Sequence, residues 1–141
     1  MNKRDLRVGN LVEILTANKK INLPTGQFGT IEEIREEKVK IKLWNESSNV
    51  VHVFNRNYDT IRPIKLTHEW MLKLGFEEIN GFRYKHWNLE LSFYFDTNGD
   101  LESDYFPIFI FYKYVNEIQN LYYDLTGDEF KIKIQDEIHG K

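Results

Sequence analysis

Short apolar runs, separated by polar or glycine-bearing turns, fill about the first sixty residues of the chain. Leu11–Leu15 and Thr30–Ile34 are mostly apolar, and in Lys38–Trp44 apolar residues alternate with lysines. Such alternation places one set of side chains inward and the other toward solvent. Val50–Phe54 predicts a further strand. Four short strands joined by turns of this kind indicate a small, strongly bent antiparallel barrel.

The pattern changes after a predicted connector at Ile61–Ile64, where Pro63 disfavours a helical conformation of the preceding residue. Thr67 is the predicted N-cap of a helix over about residues 67–74. The next strands are predicted between about residues 76 and 111, with Asn80-Gly81 as a hairpin turn. The pattern of this second part of the chain therefore predicts both helices and strands.

The clearest helical periodicity lies in Phe111–Phe130 and predicts a helix over about residues 112–126. Apolar residues recur there at three- and four-residue steps, so they share one face. The predicted buried face comprises Val115, Ile118, Leu121, Tyr122 and Leu125. The residues predicted to face water are Lys113, Asn116, Glu117, Asn120 and Asp124. Gly127 is the predicted left-handed cap that ends the helix.

The predicted fold is α+β and has two units. Residues 1–62 form a small SH3-like antiparallel β-barrel, and residues 63–141 form a small antiparallel sheet packed with two helices. Charge divides similarly, because residues 1–66 hold 12 Lys/Arg against 8 Asp/Glu, whereas residues 67–141 hold 7 against 14. A mildly basic first unit suits a polyanionic partner, although ordinary variation of solvated charge explains the imbalance equally well.

Three segments of the chain carry a family resemblance. They are LRVGN at Leu6–Asn10, PIKLTHEWMLKLGF at Pro63–Phe76 and YVNEIQNLYYDLTGDEF at Tyr114–Phe130. In this order they resemble a family of small uncharacterised proteins of phages, prophages and bacterial mobile elements. Members of that family carry LRIGN, PIPLTEEWLLKFGF and YVHQLQNLYFALTGEEL. The resemblance implies two parts and a mobile-element origin, and it transfers no catalytic residue. Lys65 and Asn116 depart from the proline and histidine usual in the family.

A second resemblance concerns the predicted barrel alone. LRVGNLVEIL followed by GQFGTIEEI resembles SH3-like and KOW-type small barrels, in which a Gly-Asn or Gly-Asp turn opens the first strand. The chain contains no cysteine, which fits a reducing compartment. Its start, MNKRDLRVGN, lacks the apolar region of a signal peptide, and no apolar run approaches the length of a membrane span. We therefore expect a cytoplasmic protein.

Candidate metal and catalytic patterns are incomplete. His68-Glu69 resembles the start of a zinc-protease helix, but Leu72 occupies the second ligand position, so a helix-start role is expected. In the loop at residues 96–104, Asp96, Asn98 and Asp100 are spaced like calcium ligands. Leu101 and Pro107 replace the required glycine and glutamate, which favours a solvated hairpin loop over a calcium site. We expect no metal, no cofactor and no catalytic residue.

Two candidate surfaces remain. The first is basic and comprises Lys19, Lys20, Lys38, Lys40, Lys42 and Trp44. Lysines can neutralise phosphates while an aromatic ring stacks on a base, although alternating lysines also keep exposed strands from pairing. The second comprises tyrosines in excess of what one core needs: Tyr105, Tyr112, Tyr114 and Tyr123. Surface tyrosine is typical of protein interfaces, and a thick aromatic core is the alternative.

The predicted function is that of a non-enzymatic phage or mobile-element protein that acts through protein–protein contact, self-association included. Aromatic excess, two small units and the lack of a catalytic constellation favour it. Nucleic-acid binding through the basic face of the barrel is the alternative, and no membrane partner is expected.

Overall fold

The chain folds as two compact units, Met1–Ile64 (unit 1) and Lys65–Lys141 (unit 2). The computed structural model describes residues 6–15, 24–43, 53–103 and 111–132. These residues form two antiparallel sheets and two α-helices, so the predicted α+β class is confirmed. None of the helices in the described ranges is long and apolar enough to cross a membrane.

Unit 1 contains a five-stranded antiparallel sheet. Its strands are β1 (Leu11–Leu15), β2 (Pro24–Ile34), β3 (Lys38–Leu43), β4 (Val53–Asn57) and β5 (Ile61–Arg62). They lie in the order β4-β3-β2-β1-β5. A 3-10 helix at Tyr58–Thr60 leads from β4 into β5, which returns to pair with β1. The described strands form an open sheet and no closed barrel, so the barrel predicted from the sequence is not observed within them.

Two predicted boundaries in unit 1 differ from the structure. The expected connector Ile61–Ile64 begins with strand β5, whose Ile61 pairs with Ile14 of β1. The predicted strand Val50–Phe54 begins outside the described residues, and the observed β4 continues to Asn57. Asparagine is disfavoured in strands, but Asn55 and Asn57 pair with β3, because contacts with neighbouring strands outweigh propensity.

An aliphatic cluster forms the core of unit 1. Its buried members are Leu6, Val12, Ile31, Val39, Ile41 and Ile61. The alternation in the sequence predicts the inward direction of Val39 and Ile41. Gly29 of β2 pairs with Leu43 of β3, and a Cβ at Gly29 would overlap the Ile41 side chain. A side chain at this position would therefore require its neighbours to shift.

Unit 2 packs a second antiparallel sheet against helices. Its strands are β6 (Glu77–Ile79), β7 (Arg83–Lys85), β8 (Ser92–Phe95), β9 (Leu101–Ser103) and β10 (Phe111–Tyr112), and its helices are α1 (His68–Lys73) and α2 (Val115–Thr126). The sheet order is β10-β9-β8-β7-β6. Asn80 and Gly81, with φ of 57° and 83°, make the predicted turn between β6 and β7.

Local capping explains where the two helices start and stop. Thr67 Oγ1 accepts a hydrogen bond from the Trp70 N–H, as the predicted N-cap requires. Helix α2 begins at Val115, later than predicted, because Phe111 and Tyr112 pair with β9 as strand β10 and Tyr114 is the N-cap. The Glu117 carboxylate accepts from the N–H groups of Lys113 and Tyr114 at 2.8 and 2.9 Å. The helix ends in the predicted left-handed glycine, with φ of 76°.

The buried face of α2 differs from the predicted one. It comprises Val115, Asn116, Ile118, Gln119 and Tyr122. Asn116, expected to face water, is buried, whereas Leu125, expected in the core, is 56% exposed. At about 100° per residue, Leu125 lies near the margin of the face that Val115, Ile118 and Tyr122 define. The buried stripe of the helix is therefore partly polar.

Aromatic rings dominate the core of unit 2. Phe76 lies edge-on to Phe93 with ring centroids 5.6 Å apart, and it also contacts Phe130 at 5.6 Å. Tyr122 of α2 stacks on Phe130 with a centroid separation of 4.0 Å. The high aromatic content of the second half of the chain is therefore used in part for packing.

Candidate functional site

Half of the predicted basic surface lies on strand β3. Lys38, Lys40 and Lys42 share the face opposite the buried aliphatic residues of the strand. Lys38 and Lys42 are exposed, and Lys40 is half-buried. The remaining members of this surface lie outside the described residues: Lys19, Lys20 and Trp44.

Carboxylates interrupt this lysine face. Glu33 of β2 lies opposite Lys40 in the sheet register. Hydrogen bonding to Arg35 and the charge of that guanidinium lower the pKa of Glu33, and Lys40 lowers it further. Residues 27–43 hold four Asp/Glu and four Lys/Arg, so this hairpin has no formal net charge. Cross-strand pairing of opposite charges explains part of the lysine pattern.

The four tyrosines of the predicted protein interface occupy different environments. Tyr112 lies in the core, because its side of β10 faces Phe93, with ring centroids 6.2 Å apart. Burial raises the pKa of its hydroxyl, and the nearby Glu117 carboxylate adds to this effect. Tyr112 therefore does not belong to the predicted protein interface. Tyr114 and Tyr123 are 37% and 42% exposed, and Tyr105 lies outside the described residues.

A polar cluster joins the start of α1 to the sheet. His68 is the first residue of the helix, as predicted, and its Nδ1 lies 2.7 Å from Tyr84 Oη and 3.1 Å from Glu78 Oε2. Burial raises the pKa of the Tyr84 hydroxyl, and the charge of Glu78 raises it further. These contacts connect α1 to β6 and β7, so the cluster has a structural role.

The acidic loop between β8 and β9 is organised by its own backbone. Asp96 Oδ1 accepts hydrogen bonds from the N–H groups of Asn98 and Asp100 at 2.8 and 3.0 Å. Gly99 has a φ of 82°, which completes the tight turn. Leu101–Ser103, expected within the loop, is strand β9. Across the described ranges, no group of three or more His, Asp or Glu side chains is arranged to hold a metal ion.

An open groove, here called the Trp87 groove, lies beside the turn that follows β7. Its volume is about 440 Å³. The lining includes Gly75, Glu77, Lys85, His86, Trp87 and Glu90. Trp87 is 85% exposed, which is unusual for a side chain of this size. The groove therefore combines a large aromatic face, two carboxylates and one ammonium group.

Buried neighbours hold the turn that carries Trp87. His86 is buried, and its ring stacks on Trp87 with a centroid separation of 5.7 Å and an interplanar angle of 28°. His86 Nδ1 accepts from the Asn88 N–H at 3.1 Å, so the neutral ring carries its proton on Nε2. Asn88 Nδ2 donates to Tyr122 Oη at 2.9 Å. The core of unit 2 thus supports one side of the exposed indole.

Sequence reasoning did not single out Trp87. Its flanking residues give a weak signal, because the tryptophan sits in the polar stretch KHWNLE between two predicted strands. Trp87 is 85% exposed, whereas the adjacent His86 ring, which stacks on it, is buried. In a turn as short as this one, the order of residues in the sequence does not determine whether His86 or Trp87 is the buried ring.

Comparison of the chain with models of known protein families, with curated proteins and with solved structures gives no match. Unit 1 presents a lysine face interrupted by carboxylates, and unit 2 presents exposed aromatic rings beside a groove.

Proposed function

We propose that this chain is a non-enzymatic binding protein of phage or mobile-element type, which acts through protein–protein contact made by unit 2. The observation that carries this proposal is the indole of Trp87, 85% exposed at the Trp87 groove. Tryptophan is among the residues that most often dominate interface energies, and truncating such an anchor costs roughly 2 kcal/mol or more of binding free energy.

The distribution of exposed apolar side chains supports the choice of unit 2. Within the described residues, its large exposed hydrophobic side chains are Ile79, Phe82, Trp87, Phe111, Tyr114, Tyr123 and Leu125. Unit 1 exposes Val8 and Val53 over the same ranges. Single exposed apolar residues are ordinary, but aromatic side chains gathered on one unit are typical of an interface core.

Light scattering and affinity capture from a bacterial lysate test this function with two variants of the full chain. Wild type is expected to self-associate or to retain a defined set of proteins, and Trp87→Ala is expected to lose that complex. Val53→Ala, an exposed apolar residue of unit 1, is the matched control and is expected to keep it. A monomeric wild type that retains nothing, or a complex that Trp87→Ala leaves intact, would contradict the proposal.

Nucleic-acid binding by unit 1 is the second candidate. The exposed Lys38 and Lys42 on one face of β3 favour it. The return of β5 to pair with β1, after a 3-10 helix, supports an SH3-like arrangement for this unit. The carboxylates of the β2–β3 hairpin weigh against it, since they offset the lysine charge that would attract phosphates.

Fluorescence anisotropy with labelled single- and double-stranded oligonucleotides tests the second candidate. It predicts binding that weakens with salt and is lost when Lys38, Lys40 and Lys42 are all replaced by glutamate. Lys113→Glu, which changes an exposed lysine of unit 2, is the control and leaves the affinity unchanged. Absence of binding at low salt would exclude this function.

A further inference from the structure

The chemistry of the Trp87 groove is more specific than a general apolar surface. One side of the indole is supported by the buried His86 ring, and the side chain remains 85% exposed. The exposed carboxylates of Glu77 and Glu90 line the same groove. An aromatic face next to carboxylates is complementary to a cation with a flat, hydrogen-bonding head group.

We propose that the Trp87 groove binds an arginine side chain of a protein partner, with the guanidinium stacked on the indole and paired with Glu77 or Glu90. This inference rests on the proposed protein contact of unit 2 and names the side chain that the contact recognises. Arginine fits better than lysine because its guanidinium is planar, stacks on aromatic rings and bonds carboxylates through two N–H groups at once.

Lys85 limits the ligand to one positive charge. It lies directly opposite Glu77 in the β6–β7 register and also lines the groove. The two carboxylates and the one ammonium group give the groove a formal charge of −1, which one added cation neutralises. Lys85 would repel the further positive charges of a run of basic residues. The volume of about 440 Å³ is within the roughly 300–1,000 Å³ typical of ligand sites, so the groove accommodates more than the guanidinium alone.

Gly75 keeps the base of the groove open. It has a φ of +95°, and a Cβ there would lie 3.3 Å from His86 Nε2. Both features disfavour a side chain at this position. The groove is thus formed by a glycine at the end of α1, the edge strand β6 and the turn after β7, all within unit 2.

Unit 2 as a whole also suits a basic partner. Residues 65–141 hold 8 Lys/Arg against 14 Asp/Glu, a formal charge of −6. A negative field of this kind increases the association rate of positively charged partners and falls with added salt. Long-range charge and the local chemistry of the groove therefore favour the same class of ligand.

Titration of the full-length, isotope-labelled protein with blocked tripeptides tests the proposal. The peptides are acetyl-Gly-Arg-Gly-amide, its lysine analogue and its citrulline analogue, in which a neutral urea replaces the guanidinium. Binding is followed through the backbone amide signals of Gly75 and Leu89, which line the groove. The arginine peptide is expected to bind saturably, several-fold more tightly than the lysine peptide and at least about tenfold more tightly than the citrulline peptide.

Variants separate the two parts of the recognition. Trp87→Ala is expected to weaken binding of the arginine peptide by about two- to thirtyfold, the range expected when a cation–π contact is lost. Glu77→Gln and Glu90→Gln are each expected to weaken it by about two- to fivefold and to reduce its salt dependence. Val53→Ala, at an exposed apolar residue of unit 1 outside the groove lining, is the control and is expected to have no effect.

The outcomes distinguish this inference from the proposed function. Equal binding of the citrulline and arginine peptides, or unchanged binding by Trp87→Ala, would overturn the inference. If no peptide binds while Trp87→Ala still abolishes protein capture, the arginine specificity fails and the protein contact stands. If the arginine peptide binds as expected while wild type neither captures a protein nor self-associates, the groove recognises guanidinium and the proposed function fails.

Discussion

Units 1 and 2 each contain a five-stranded antiparallel sheet among the described residues, but they bury it in different ways. Unit 1 gathers aliphatic side chains from alternate positions of its strands, with Val12, Ile31 and Ile41 fully buried. Unit 2 packs its sheet against helices through aromatic rings, with Phe76 and Phe93 at the centre. The stability of an aliphatic core depends on how closely its side chains fit together. The stability of an aromatic core depends in addition on the angles and distances between its rings.

The difference also extends to buried polar groups. The core of unit 2 contains His86, Asn116 and Gln119 beside its rings. His86 contacts Phe76 and Phe130 edge-on at centroid distances of 5.3 Å while it accepts the N–H of Asn88. An aromatic core with polar members can therefore position a surface ring such as Trp87. Unit 1 also buries a polar side chain, Asn10, but its Oδ1 accepts the Arg7 N–H at 2.7 Å and so fixes the turn that precedes β1.

The largest expected effect concerns the aromatic core. Phe93→Ala is predicted to lower the free energy of unfolding by about 3–5 kcal/mol, since it removes a fully buried ring that lies edge-on to Phe76. Urea unfolding followed by near-ultraviolet circular dichroism measures the loss. Phe82→Ala, at a 59% exposed ring of the same unit, is predicted to change stability by less than about 0.5 kcal/mol. Equal effects of the two substitutions would contradict the assigned core.

A smaller effect is expected from overfilling the aliphatic core. Gly29→Ala adds a methyl group that overlaps the Ile41 side chain, and it is predicted to cost about 1–3 kcal/mol of unfolding free energy. Glu32→Ala, at an exposed position of the same strand, is the control. Thermal unfolding of the two variants gives the comparison. A Gly29→Ala protein as stable as wild type would show that β2 and β3 do not approach so closely.

Helix α2 provides the next prediction. Glu117→Ala removes the carboxylate that accepts from the N–H groups of Lys113 and Tyr114, and it is predicted to cost about 0.5–2 kcal/mol of unfolding free energy. Asp124→Ala, at an exposed position of the same helix, is expected to have a smaller effect. Urea unfolding of both variants checks the difference. If the Asp124 variant loses as much stability, Glu117 is not a cap.

The smallest predicted effect is a loss of stability at high pH. Burial raises the pKa of Tyr84 and Tyr112 above the ordinary value of 10.0. The folded state therefore favours the neutral phenols, and this contribution is complete below about pH 10 and is lost as pH rises through the raised values. Unfolding free energy is expected to fall above pH 10, and less steeply in the double variant Tyr84→Phe, Tyr112→Phe. Parallel curves for the two proteins would contradict the assignment.

Regular alternation and turn chemistry made part of the fold predictable. Strand β1 has its predicted bounds, Leu11–Leu15, and Asn80-Gly81 forms the predicted turn. Strand β5 was missed because two residues are too short for a periodic signal, and its pairing with β1 comes from distant sequence. The buried face of α2 was misplaced because Asn116 lies between the periodic apolar residues and was expected to face water, whereas the folded unit buries it and leaves Leu125 exposed.

The candidate site was less predictable than the fold. The alternation of β3 correctly placed Lys38, Lys40 and Lys42 on one face, but the opposing Glu33 becomes apparent only from the strand register. An excess of aromatic residues indicated an interface without showing which rings remain exposed. Tyr112 is buried in the core, whereas Trp87 is exposed and stacks on the buried ring of His86.

Site-specific photo-crosslinking compares the two units most directly. A p-benzoylphenylalanine residue replaces Trp87 in one version of the full chain and Lys40 in another, and each is irradiated in a bacterial lysate and analysed by mass spectrometry. We predict crosslinks to a defined protein, or to a second copy of this chain, from position 87, and none from position 40. Crosslinks from position 40 alone, or equal crosslinking from both, would contradict the assignment of binding to unit 2.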